Sequence, residues 1–210
     1  MSARVICISR ESGADGERVG RAVAERLGLQ YVDEEVITRA SEQAGVDADV
    51  LGDTEGRKSL LRRVAEYFAD TGTVASAAVE PSPIRRARER KHRQLIRAVI
   101  EDVAEDGSAV IVAHAASMAL AGRDGILRVL VAASPGVRVE RLAVREQLDA
   151  QDAEKLVRDG DADRAAYLKS FYGVERELPV HYDVVVNTDR LDADAAADVV
   201  VRAAEQLGSD

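Results

Sequence analysis

The stretch Ser9-Arg10-Glu11-Ser12-Gly13-Ala14-Asp15-Gly16 carries the first chemistry the sequence offers. It follows a short apolar run, Arg4 to Ile8, and precedes an amphipathic one, Glu17 to Leu27. A strand, a glycine-bearing turn and a helix, in that order, form the context of a phosphate cradle. Free N–H groups at the helix start, together with the helix dipole, attract anionic oxygens. Ser12, Gly13, Ala14, Asp15 and Gly16 are the candidates for that contact, with Arg18 just beyond. The strict G-x-x-x-x-G-K-[ST] spacing is not met. No Lys follows Gly16, and Glu11, Asp15 and Glu17 put negative charge where a phosphate would sit. Taken alone, the turn fits a plain βα connection as well as it fits a phosphate site.

A second set of groups lies far along the chain. Arg138, Arg141 and Arg145 recur at spacings of three and four, which puts them on one helical face. Beside a phosphate loop, such a stripe would stabilise the charge on a transferring phosphoryl group. The bland alternative is a solvated face paired with Glu140 and Glu146. Arg164 adds another positive charge, and Asp161 and Asp163 would orient these arginines or help hold magnesium. A third basic stretch, Arg85 to Arg93, holds six Lys or Arg in nine positions. Runs of this kind bind polyanions, but this one has no interleaved aromatic. It reads first as the exposed opening turns of a long helix after a Pro-Ser-Pro hinge. Another reading has its arginines reach a ligand cleft or an acidic partner.

The elements that must position these groups follow from hydrophobic periodicity. Arg4 to Ile8, Ala109 to Ala113 and Leu127 to Ala132 are nearly continuous apolar runs, expected of strands buried on both faces. Gln30 to Val32 and Tyr182 to Asn187 complete five strands. Val19, Val23, Ala24 and Leu27 form one face of the first helix, with Gly28 as its stop. Asp33 is expected to N-cap the next helix, whose apolar face is Val36, Ile37 and Ala40. Ser59 to Phe68 reads as a helix and Thr71 to Pro83 as a loop. A long helix runs from about Ile84 to Asp106, and another from Pro135 to Arg145. Asp149 to Gly160 and Asp161 to Tyr172 read as two polar helices, and Ala193 to Leu207 as the last. Strands alternating with helices imply a parallel sheet with right-handed crossovers.

Composition narrows the class. The chain of 210 residues is long enough for a substantial core in one domain. Its single cysteine, Cys7, rules out an internal disulfide framework and a cysteine-based zinc site, and suits a reducing cytoplasm. A net charge of −9 with 3% aromatics argues against a general nucleic-acid binder. There is no long apolar stretch for a membrane span and no signal-peptide pattern at the N-terminus.

The run from Val5 to Gly45, VICISRESGADGERVGRAVAERLGLQYVDEEVITRASEQAG, resembles the opening of the cytidylate kinase-like family, within the P-loop nucleoside monophosphate kinases. The matching features are Ser9-Arg10, a Gly-Ser-Gly-Gly-type turn at Gly13 to Gly16, Leu27-Gly28 and Tyr31-Val32-Asp33. Further matches are Val110 to Ala116, Leu127 to Ala132 with Arg138, Arg141 and Arg145, Asp161-x-x-Arg164-x-x-Tyr167, and Tyr182 to Thr188. They run in order over nearly the whole chain. The resemblance implies an α/β fold with a five-stranded parallel sheet flanked by helices and a helical lid. It implies a single kinase-like domain over 1–210, with a variable monophosphate-binding-like region at about 45–84 and a lid-like region at about 146–173.

The resemblance further implies a phosphotransferase that uses ATP and Mg²⁺ on a nucleoside monophosphate or another small acceptor, in the cytoplasm. Gly13 to Gly16 would face the donor phosphates. Arg141, Arg145 and Arg164 would close over the transition state. Asp33, Arg39, His114, Arg138 and Asp161 would line the acceptor side, although a surface role suits Arg39 better. Two departures stand out. Gly16 falls at the position of the family's loop Lys and Arg18 near its hydroxyl residue, so Arg18 would supply the missing charge or remain a solvated helix residue. Ala113-His114 replaces Gly-Arg, a weaker phosphate clamp. The competing expectation is a catalytically inactive member of the fold: a nucleotide sensor or an interaction protein, homodimeric in one version, using the basic helix. No protein-only metal site and no nucleic-acid partner are expected.

Overall fold

A computed structural model describes residues 4–33, 35–38, 82–113 and 116–207 of the protein. Side chains of 82–93 fall outside the description, as do the expected helix at 59–68, the loop at 71–81, Arg39 and His114. By compactness the chain divides into two units, 1–33 with 107–210, and 34–106.

In the smaller unit, residues 35–38 are helical and Ile37 is fully buried. Its long helix runs Ser82–Asp106, so Ser82 and Pro83 of the expected hinge open the helix. Proline is tolerated in a first turn, where its missing N–H would have had no partner. Ile96, Val99, Ile100 and Val103, spaced at helical period, are all buried.

The larger unit is built on a sheet of β1 (Val5–Arg10), β2 (Gln30–Asp33), β3 (Ala109–Val112), β4 (Ile126–Ala132) and β5 (Val184–Asn187). All pairings are parallel, in the order β2-β3-β1-β4-β5. β1 is therefore central, where the strand order changes direction and ligands of open α/β sheets bind. Its helices, with the Ser82–Asp106 helix counted as α2, are α1 (Gly16–Leu27), α3 (Ala116–Ala119), α4 (Pro135–Glu146), α5 (Ala150–Tyr172) and α6 (Ala193–Gln206).

Strand alternation sorts the core. Ile6, Ile8, Val110, Val112, Leu127, Val129, Val131 and Val186 meet Val19, Val23 and Ala24 of α1 and the alanines and Val200 of α6. Cys7 and Ser9 alternate with these and belong to the opposite face, where Ser117 of α3 donates a hydrogen bond to the Cys7 carbonyl at 3.3 Å and accepts one from Ser9 at 3.1 Å. Burial pushes the Cys7 thiol up to about 12, so it is an inert core group. At the start of β4, Arg128 holds Asp183 through its guanidinium (2.6 and 3.1 Å) and its backbone N–H (2.8 Å), which fixes the entry to β5. Small residues set the spacing of α1 on the sheet. A Cβ on Gly20 would lie 2.4 Å from a Val112 methyl and 3.3 Å from the Tyr31 ring.

Three expectations change. β1 extends through Ser9 and Arg10, which belong to the strand because they pair with Leu130 and Val131 of the longer β4. Asp33 ends β2 opposite Val112. Residues 149–172 are one helix: Asp149 caps it by accepting from the Asp152 N–H at 2.9 Å, and it passes straight through Gly160. Interior glycine costs a helix only about 1 kcal/mol, less than α5 gains by staying continuous and burying Ala153, Val157 and Leu168 on one side.

The packing of α1 gives a direct check. Gly20→Ala should lose roughly 1–3 kcal/mol through overpacking against Val112, read as a lowered midpoint in urea with unchanged slope. An unchanged midpoint would mean that α1 can move off the sheet at no cost.

Candidate phosphate-binding site

The loop between β1 and α1 has almost no side chains with which to hold itself. Ala14 is fully buried, and Gly13 adopts φ +84°. A Cβ at Gly13 would meet the Arg138 carbonyl oxygen at 2.8 Å and its Cα at 3.0 Å, so glycine is required both by the backbone angle and by the approach of α4. The Glu11 N–H donates to the Val131 carbonyl and the Ala14 N–H to the Glu11 carbonyl. The first bond within α1 runs from the Val19 N–H to the Asp15 carbonyl. The N–H groups of Gly16, Glu17 and Arg18 precede it and have no partner within the helix. This is the donor set of an anion site.

Thr188, just beyond β5, ties the loop down from the other side. Its hydroxyl donates to the Ala14 carbonyl at 3.0 Å and accepts from Arg141 Nη1 at 3.0 Å, while its carbonyl accepts from Arg141 Nη2 at 2.6 Å. Arg141 also reaches the Gly13 carbonyl at 3.4 Å, and its Nε lies 3.6 Å from the Asp15 carboxylate. Of the arginine stripe, Arg141 is the member whose guanidinium hydrogen-bonds the loop backbone.

The other arginines are held by the chain's own carboxylates. Arg138 is buried and donates to both oxygens of Asp161, each at 2.8 Å, with its Nε 3.6 Å from Glu11 and making no hydrogen bond. Arg138 and Asp161 brace α4 against α5, with both ends of the guanidinium fork engaged by one carboxylate. Arg145 is half exposed and pairs with its neighbour Glu146 at 2.8 Å. Arg164 grips Glu177 at 2.8 and 2.6 Å, and the Tyr182 hydroxyl donates to the same carboxylate. Arg18 is exposed, 3.8 Å from Asp15. Asp33 faces Arg21 at 3.5 Å. Arg10 pairs with Glu17 at 2.8 Å. Ser12 meets α5 at Gly160, where a Cβ would sit 3.2 Å from the Ser12 hydroxyl, so the helix comes close to the loop at its one position without a side chain.

Sequence reasoning did not give Thr188, Glu177, Tyr182 or Arg10 a role. Thr188 alone had a legible signal, since it closes the last strand at the same edge of the sheet as the loop. Among the described residues no group of three or more acidic, His or Cys side chains could hold a metal.

The cytidylate kinase-like family model matches residues 5–190. The chain belongs to that family. Relatives include the cytidylate kinase of Natronomonas pharaonis, 26% identical over 207 residues and covering 98% of this chain and 92% of that protein. The cytidylate kinase of Methanopyrus kandleri is 25% identical over 212 residues, 97% of this chain and 94% of its own. Among solved structures, a protein from Eubacterium ventriosum superposes with a TM-score of 0.68 at 16% identity, covering 96% of this chain and 98% of its own. Shikimate kinase from Bacteroides thetaiotaomicron gives 0.52 at 16%, with 95% and 97% covered. These two likenesses establish the P-loop kinase fold. Within this cytidylate kinase-like chain, no helix among the described residues is long and apolar enough to cross a membrane.

The Arg164–Glu177–Tyr182 cluster ties the end of α5 to the entry of β5, and it titrates. Burial pushes the Glu177 carboxyl up, but the Arg164 guanidinium outweighs it and holds the group below its ordinary value. Burial and the adjoining Glu177 raise the Tyr182 phenol to about 12. A carboxyl depressed in the folded state contributes stability that is full above its unfolded value and is lost as pH falls through the folded one. Glu177→Gln should therefore lower stability by roughly 1–3 kcal/mol near neutral pH and flatten the loss below about pH 4.5, the ordinary value. Urea melts at neutral pH and through the acid range test this. Parallel pH curves for both proteins would remove the role of the pair.

Proposed function

We propose that the protein is a phosphotransferase of the nucleoside monophosphate kinase type, moving a phosphoryl group from ATP to a small acceptor of the cytidylate class. The observation that carries the reading is Arg141, whose guanidinium is fixed at the phosphate loop by Thr188, Gly13 and Asp15 next to the free N–H groups of Gly16 to Arg18. Family membership over residues 5–190 supports it, and the names of the archaeal relatives support cytidylate as the acceptor.

In this reading the backbone from Gly13 to Arg18 binds the donor phosphates, and Arg141 balances charge on the transferring group. Such chemistry is mostly positioning and electrostatics, so the protein supplies no nucleophile. Mg²⁺, held largely by the nucleotide and water, would neutralise phosphate charge. Arg145 and Arg164 join the transition state only by exchanging Glu146 and Glu177 for phosphate oxygens. Asp33, His114 and Arg39 serve the acceptor, Ser12 and Arg18 border the donor, and the cytoplasm supplies the nucleotide. The whole chain would act as one kinase-like domain, with the acceptor region at about 45–84 and the lid at about 146–173.

A second reading, a catalytically inactive nucleotide sensor or interaction protein, is favoured by one specific feature. Arg138, Arg145 and Arg164 are all paired to the chain's own carboxylates, and the loop has no Lys. Thermal shift with ATP, CMP and dCMP, with and without Mg²⁺, followed by a coupled ADP assay, separates the two. The kinase reading expects a stability increase with ATP, turnover with CMP, and a loss of about 10²-fold or more in Arg141→Ala. Binding without turnover would favour the sensor, and no shift with any nucleotide would remove the kinase and the sensor and leave the interaction protein.

A further inference from the structure

We infer that Asp15 is a resident counter-charge in the phosphate loop, which makes the site discriminate against free polyphosphate in favour of its cation-complexed form. The inference rests on the donor-phosphate reading of the loop and specifies which form of donor it accepts.

The backbone supplies the first observation. Asp15 stands at φ +60°, ψ 23°, in the left-handed region, and its side chain makes no capping bond to α1. A left-handed position directly before a helix suits glycine, and an N-cap side chain normally earns its place by accepting an N–H. Aspartate reaches the left-handed region more readily than most side chains, but Asp15 makes no capping bond that would account for its place there. Its carboxylate is instead bracketed by two guanidiniums that cap nothing in the helix, Arg141 Nε at 3.6 Å and Arg18 Nη1 at 3.8 Å. Neither distance is a hydrogen bond, so the interaction is one of charge with charge, the kind that another anion can replace.

The surroundings supply the second. Glu17, in the first turn of α1, pairs with Arg10 at 2.8 Å. Glu11 accepts from the Ala133 N–H at 3.1 Å and lies 3.6 Å from Arg138. Three carboxylates are thus set among four arginines around one loop. Negative charge at the start of a helix is favourable, and Asp15 and Glu17 provide there what a bound phosphate would provide. A polyphosphate must therefore displace Asp15 from Arg141 and then remain close to it. Free ATP meets the full repulsion of that carboxylate. ATP complexed with a divalent cation meets less, because its charge is lower and the cation is attracted to the carboxylate.

The test is calorimetric titration of the full-length protein with ATP and with inorganic pyrophosphate, each with and without Mg²⁺, at low and moderate salt. Wild type should prefer the Mg²⁺ complexes. Asp15→Asn, which keeps the shape and removes the charge, should tighten free ATP and free pyrophosphate by roughly two- to five-fold at low salt. It should tighten the Mg²⁺ complexes less, and its advantage should shrink as salt rises. Asp15→Gly should behave alike. Glu205→Gln, which removes one carboxylate from the exposed end of α6, should leave all four affinities unchanged, so that overall charge is not the cause. If wild type binds and Asp15→Asn binds free polyphosphate no more tightly, the counter-charge is refuted. Tightening in Asp15→Gly but not in Asp15→Asn would trace the effect to the backbone and also refute it. Binding by none of the proteins would overturn the donor-phosphate reading itself, and the inference with it.

Discussion

A phosphate loop must keep a fixed shape with scarcely any side chains of its own, so its shape has to be imposed from outside. Here α4 imposes it. The backbone of Arg138 presses against Gly13 so closely that no Cβ fits, and the side chain of Arg141, one turn later, binds the Gly13 carbonyl and Thr188. Both contacts depend on where α4 lies, and α4 is in turn held to α5 by the pair between buried Arg138 and partly exposed Asp161. Removing Asp161 would leave the buried Arg138 without its closest counter-charge. The Arg138–Asp161 bond therefore reaches the loop without either residue having to touch a ligand.

The same geometry divides a uniform-looking stripe into three roles. Arg138, Arg141 and Arg145 differ in sequence only by position along one helical face. The structure sorts them by depth, from the 4% side-chain exposure of Arg138 through the 27% of Arg141 to the 53% of Arg145. The deepest braces two helices and the middle one organises the loop. The outermost pairs with its neighbour in solvent, where a single ion pair is worth little. An arginine's capacity for transition-state stabilisation depends less on its presence in a stripe than on how readily its resident carboxylate can be exchanged.

How much of this could be read in the sequence depended on whether the signal was periodic. β1, β3, β4, α1, α4 and α6 were legible because each buries a face whose apolar positions repeat at the strand or helix period. The phosphate turn was legible as a strand–glycine–helix junction. Gly160 misled, because a lone glycine looks the same whether it stops a helix or lets one approach another backbone closely, and only the position of Ser12 decides between them. Asp33 belongs to β2 as well as preceding the next helix, since strand length is set by pairing with Val112 across the sheet. Thr188 acts through Ala14 and Arg141, far away in sequence, while Glu177 and Tyr182 join Arg164 across a stretch with no helix or strand period, and no periodic pattern announces such residues.

The overall charge of −9 then takes on a different meaning. As an average it argues against polyanionic partners. At the loop the acidic excess disappears, because Arg10, Arg18, Arg138 and Arg141 face Glu11, Asp15, Glu17 and Asp161 in equal number. A family loop Lys would be a compact point charge on a flexible stem, whereas a guanidinium is a planar fork that must be aimed. With Gly16 at the lysine position, the positive charge of this site comes from neighbouring elements and stays aimed only while its carboxylates hold it. In the proposed reading the acidic residues around the loop are therefore part of the anion site's construction: they keep the arginines in place until a phosphate replaces them.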